Sequence, residues 1–241
     1  MGGVGVTRAK AMKLGGHPAL VVMPENARAL YVLAHGAGAG MRHEFMSAMA
    51  TSLAEQGVAT VRWEFPYMAA GKGAPDRPPV AEAAVKAVWD AARTKFQLPM
   101  FAGGKSFGGR MTSRAHANLV LDGVQGIAFI GFPLYGAGKP PSVERAEHLA
   151  SATGPLLFVQ GTRDELADLA VLRPVVEGLG TRAELHIVDD ADHGFDVRKS
   201  CGRTTDVKTE IATVMAAWMA RVASDRVAAC GRATPRVTRR S

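Results

Sequence analysis

The chain has 241 residues, 47% hydrophobic and 21% charged; this is enough to bury one sizeable core, and no stretch is apolar and charge-free for long enough to span a bilayer. Two widely separated cysteines, Cys201 and Cys230, argue against a disulfide framework and a Cys-based zinc site. The formal charge of +7 does not mark a nucleic-acid binder, because Arg226, Arg232, Arg236, Arg239 and Arg240 supply five of those charges from a tail of 16 residues without an acid.

The opening MGGVGVTRAKAMKLGG is basic but lacks the apolar run of a secretory signal, so a cytoplasmic protein is expected. ALVVM (19–23) and LYVLAHG (30–36) read as strands buried on both faces. Phe45, Met46, Met49 and Leu53 then recur at helical spacing. VATVRWEF (58–65) is the next strand. After Pro78-Pro79, suited to a helix start, Val80, Ala84, Val85, Val88, Trp89 and Ala92 form an apolar stripe. LPMFAGG (98–104) runs into a glycine-rich turn, and Met111, Ala115 and Leu119 continue beyond it as a helix. VQGIAFIGF (124–132) and PLLFVQG (155–161) are strands; Leu169, Leu172, Val176 and Leu179 mark a helix. AELHIVD (183–189) is the last strand, and Val207, Ile211, Val214, Met215, Trp218 and Val222 the last helix, with Thr204 and Thr205 as candidate N-caps. Segments 69–79 and 135–142 read as linkers. Strand then helix, repeated five times, predicts one domain over 1–225: a doubly wound, mostly parallel α/β sheet with helices on both faces. Residues 226–241, rich in Arg, Gly, Thr, Pro and Ser, are expected to be a disordered basic tail.

Residues 102–110, AGGKSFGGR, allow two readings. A phosphate loop, G-x-x-x-x-G-K-[ST], requires glycine five residues before Gly104, where Pro99 stands within an apolar strand. The alternative, G-x-S-x-G between a strand and a helix, lifts a serine nucleophile above the sheet and aims a helix N-terminus at an oxyanion. Ser106 is then the nucleophile.

A serine hydroxyl needs a base, and the base needs a carboxylate to orient it. Asp164, after PLLFVQG, and His193, after AELHIVD, follow Ser106 in the order Ser, acid, His, each just past a strand. Asp189 and Asp190 are so near His193 that they are expected to shape its loop. Upstream, LAHGAGAG follows a strand; Ala37 and Phe107 N–H are the expected oxyanion donors, with Gly36 and Gly38 admitting the substrate and His35 ordering the loop. A dinucleotide loop fails here, since it requires glycine where Met41 stands. No His or acid pair has ligand spacing on one helix, so neither metal nor cofactor is expected.

Together, His35-Gly36, the glycine-framed Ser106, Asp164 and His193 resemble the α/β-hydrolase family over residues 20–222. HGAGAGMRHEFM, WEFPYM with DRPP behind it, GGKSFGGR, RAEHL and QGTRD are most similar to the dienelactone-hydrolase-like group, in the lidless branch related to testis-expressed and NSL-complex subunits. Dienelactone hydrolases proper use Cys as nucleophile, and Ser106 departs from them. The resemblance implies a serine hydrolase of small or short-chain esters, with thioesters next; a non-catalytic scaffold is the rival class. Lys105 and Arg110 flank the serine. Either they are solvated or paired with acids, or one, Lys105 first, binds anionic acyl groups.

Overall fold

The computed structural model describes residues 8–232. Eight strands, β1 (Lys10–Leu14), β2 (His17–Val22), β3 (Ala29–Ala34), β4 (Val58–Trp63), β5 (Met100–Lys105), β6 (Ile127–Ile130), β7 (Leu156–Gly161) and β8 (Ala183–Val188), form one sheet in the order β1-β2-β4-β3-β5-β6-β7-β8. All neighbours from β4 to β8 are parallel, whereas β2 is antiparallel to β1 and β4. The sheet is therefore mostly parallel. β1 has no counterpart in the sequence reading: KAMKL is an edge strand whose lysines are exposed, so it shows no apolar run.

Helices α1 (Glu44–Glu55), α3 (Pro78–Lys95), α4 (Phe107–Leu119), α5 (Leu169–Gly178) and α6 (Val207–Arg232) coincide with the five apolar stripes. A short α2 (Pro66–Ala69), with Pro66 in its first turn, is additional. Alternate residues of β3 explain the two-sided burial: Leu30, Val32 and Ala34 join one core with α3, α4 and α5, while Ala29, Tyr31 and Leu33 join another with α1 and α6.

Two expectations about α6 change. Its first turn is capped by Asp206, whose carboxylate accepts from Thr209 N at 3.0 Å, and not by Thr204 or Thr205. It also continues to Arg232, so residues 226–232 of the expected tail are helical; residues 233–241 lie outside the described residues. Between β6 and β7 the chain forms only one short 3-10 helix, Glu144–Ala150, and no large lid.

Chain order reverses its lateral direction at β3: β4 lies on one side and β5 on the other. The carboxyl ends of β3 and β5 border the crevice where open α/β sheets bind ligands. His35-Gly36 and Ser106 follow those ends directly.

Candidate active site

Ser106 has φ 50° and ψ −116°, a conformation that L-residues avoid and that stores on the order of 1–3 kcal/mol. Its hydroxyl caps no helix N–H. The surrounding glycines are steric requirements. A Cβ on Gly104 would lie 2.3 Å from the Ala34 carbonyl oxygen, and one on Gly108 would lie 2.5 Å from the carbonyl oxygens of both Ala34 and His35. The elbow therefore sits flush against the end of β3, with α4 beginning immediately beneath the serine.

His193 Nε2 is 2.8 Å from Ser106 Oγ, and its Nδ1 is 2.7 Å from Asp164 Oδ2. A carboxylate only accepts, so the neutral ring carries its proton on Nδ1 and leaves Nε2 free to accept from the serine. Asp164 is fixed by two further donors: Gln160 Nε2 at 2.5 Å and Leu166 N–H at 2.8 Å. Gln160 is itself fully buried and accepts from Phe132 N–H at 2.9 Å. The Asp164 side chain is 0% exposed and that of His193 25%, so the acid stays dry while the imidazole faces the cleft.

The loop after β3 is held from beneath. His35, fully buried, accepts from Phe65 N–H through Nε2 at 3.1 Å. That fixes its tautomer: Nδ1–H donates to the Gly36 carbonyl at 2.8 Å. Burial, above all, pushes His35 below the usual imidazole range, which keeps it neutral. Glu64 accepts from Met41 N–H at 2.9 Å, and Asp76 from Tyr67 N–H at 3.0 Å. Neither Ala37 N–H nor Phe107 N–H has a hydrogen-bond partner among the described residues. Ala37 borders the cleft, and Phe107 N–H is the first orphan donor of α4.

A cavity of ≈ 280 Å³ opens beside Ser106, walled by Phe45 and Met46 from α1, by Leu166, and by Gly36 and Ala37. An open groove of ≈ 570 Å³ shares Leu166, His193 and Gly194 with that cavity and is lined also by Arg163, Glu165 and Asp192.

Of the expected substrate-binding residues, Gly36 and Lys105 line the cavity. Gly38 is not among its lining residues; its N–H faces the Tyr67 hydroxyl at 3.4 Å. The Lys105 ammonium turns toward the His193 loop. It donates to the His193 carbonyl at 2.5 Å and lies 5.4 Å from the Phe195 ring centroid. Burial pushes it down to about 8, against the pull of Asp164 and then Asp192.

Four positioning residues, Gln160, Glu64, Tyr67 and Asp76, had no role in the sequence reading. A signal existed for one of them: Gln160 is the only polar side chain in the run PLLFVQG.

A family model described as an alpha/beta hydrolase domain matches residues 27–221. Among solved structures, the fold is similar to a dienelactone hydrolase from Anabaena variabilis, with a TM-score of 0.70 and 20% identity over 88% of this chain and 96% of that one. It is also similar to a serine hydrolase without lid from Xanthomonas campestris, with a TM-score of 0.63 and 24% identity over 78% and 87%. The esterase domain of a Rhodothermus marinus protein gives a TM-score of 0.66 at 16% identity over 89% and 98%. With a matched model spanning the sheet from β3 through most of α6, this chain belongs to the α/β-hydrolase family.

Proposed function

We propose that the protein is a serine hydrolase that cleaves small or short-chain carboxylic esters through an acyl-enzyme. Ser106 Oγ attacks the ester carbonyl carbon as its proton passes to His193 Nε2, and Asp164 stabilises the imidazolium that forms. The tetrahedral oxyanion accepts from Ala37 and Phe107 N–H, helped by the N-terminal end of α4. Collapse breaks the ester C–O bond, and the departing alkoxide takes the proton from His193. A water molecule then gives its proton to His193 and attacks the acyl carbon, releasing the acid and restoring Ser106.

One observation carries this reading: the unbroken chain from Ser106 Oγ to His193 at 2.8 Å and on to Asp164 at 2.7 Å. The small, mostly apolar cavity supports a short acyl group, since it lies at the lower end of ligand-site volumes. The adjoining groove, with its charged walls, supports a polar leaving group.

A fluorophosphonate probe should form a covalent adduct on Ser106, and Ser106→Ala should abolish it while lowering kcat on para-nitrophenyl acetate by at least roughly 10⁴-fold. No adduct, under conditions that label a known esterase, would leave a non-catalytic scaffold as the function. Nitrophenyl esters and acyl thioesters of graded length then rank the acyl groups.

A further inference from the structure

Arg110 lies one turn beyond Ser106 on α4, about 6 Å along the helix axis. Its side chain has no hydrogen-bond or ion-pair partner among the described residues, and its Nε is enclosed without one. The two terminal nitrogens are not enclosed. Arg114, one turn further, pairs with Glu82 at 2.6 Å, and Asn118 occupies the other oxygen of that carboxylate at 2.8 Å. Both oxygens of Glu82 thus already accept from other side chains.

Arg145 approaches from the segment between β6 and β7. It spends one N–H on the Tyr135 carbonyl at 2.8 Å and has no carboxylate among the described residues. Residues 1–7 and 233–241 contain no Asp or Glu to supply one. The same backbone joins the cavity wall: Leu134 and Tyr135 N–H both donate to the carbonyl of Leu166, at 2.9 and 3.2 Å.

The field in this corner is positive. Burial, then Arg145 and Arg114, push Arg110 down to about 10. His148, 2.7 Å from Ser113, is pushed down to about 4, by burial first and then by Arg114 and Arg110. Glu82 pulls Arg110 the other way, but it is bonded to Arg114 and Asn118. A half-buried guanidinium without a hydrogen-bonded counter-charge is costly, and its planar fork matches carboxylate and phosphate oxygens.

We propose that Arg110 and Arg145 form an anion-binding subsite where α4 meets the segment between β6 and β7, one helical turn from Ser106, that takes a carboxylate or phosphate group. The Lys105 ammonium, nearer in sequence to Ser106, is already committed to the His193 carbonyl. Where the anion is carried by the substrate, the inference rests on the serine-hydrolase reading; the binding itself does not.

Inorganic phosphate is the first probe. With ionic strength held constant by chloride, it should raise the Tm of the full chain to a plateau, and Arg110→Gln and Arg145→Gln should each weaken its affinity roughly tenfold. The second arm compares kcat/KM for para-nitrophenyl hemisuccinate with that for the neutral butyrate ester. A roughly tenfold fall in this ratio on Arg145→Gln assigns the anion to the substrate. An unchanged ratio with phosphate binding lost assigns it to a free anion, and the subsite stands in both cases.

A phosphate response that survives both substitutions overturns the inference, as does no response together with an unchanged ratio. Should Arg110→Gln fail to fold, Arg145→Gln carries both arms. Fluorophosphonate labelling of the same samples separates a failed subsite from a failed hydrolase.

Discussion

Around Ser106 the chain is held by exclusion: backbone carbonyls of β3 and of the residue after it leave no room for a Cβ at Gly104 or Gly108. Around Asp164 and His193 it is held by attraction, through directional bonds between residues far apart in sequence, such as Gln160 to Phe132 and Lys105 to the His193 carbonyl. The first region tolerates no added atom at Gly104 or Gly108, and the second no lost donor. The difference follows from what each must do. The proposed nucleophile, on a strained turn, is kept there by walls, whereas the proposed acid and base, on separate loops, must be tied across the sheet.

The sharpest way to break the first region is Gly108→Ala. Its methyl group would meet two backbone oxygens at 2.5 Å, and backbone cannot rotate aside as a side chain can. The expected cost exceeds about 3 kcal/mol, seen as a large fall in the urea midpoint or as loss of soluble protein. Gly36→Ala is the internal control: its Cβ finds nothing closer than 3.6 Å, so the stability change should stay within about 1 kcal/mol. Equal midpoints for the two variants would remove the steric account of the elbow.

The second region is tested by Gln160→Leu, which fits the volume but removes both polar ends. Asp164 loses its 2.5 Å donor and Phe132 N–H is left buried without an acceptor. The orphaned group should cost about 1–3 kcal/mol. The proposed catalytic carboxylate, held by one donor fewer, should lower kcat roughly 10- to 100-fold, with KM nearly unchanged. An unchanged kcat beside a lowered Tm would reduce Gln160 to a packing residue.

The same contrast decides what the sequence could reveal. The elbow is local, so AGGKSFGGR exposes it: the spacing of glycines states where a Cβ is forbidden. Ser106, Asp164 and His193 are also legible from chain order, because each stands just past a strand. The five core helices are legible for a similar reason, their stripes being continuous and apolar. β1 is not, since an edge strand buries little and KAMKL shows no pattern. The reach of α6 to Arg232 is equally hidden, because a tail rich in arginine reads as solvated whether or not it continues a helix. Lys105 illustrates the deepest limit. Sequence gives its charge and its place beside Ser106, but only the fold shows that its ammonium turns toward a carbonyl 88 residues away.

Lys105 joins the two regions, its backbone in the elbow and its ammonium under the His193 loop, so Lys105→Met should weaken the tie without adding bulk. The expected effect is the smallest of the set, a severalfold loss of kcat on neutral esters, in keeping with one hydrogen bond of net worth about 0.5–1.5 kcal/mol. Substrate charge should not matter; a change confined to KM for anionic esters would return Lys105 to substrate binding. The pH dependence carries a sign. The folded pKa of about 8 lies below the ordinary 10.5, so between those values the unfolded chain binds the extra proton and the folded chain does not. Stability from this group therefore rises with pH across that window, and the wild type should gain on Lys105→Met there. Activity should move the other way, because the neutral amine donates more weakly to the His193 carbonyl. Lys105→Arg, charged throughout, should keep its activity above pH 8. Parallel pH slopes of stability for wild type and Lys105→Met would mean that the ammonium is not buried in solution. The bond that links the two halves of the site would then be absent.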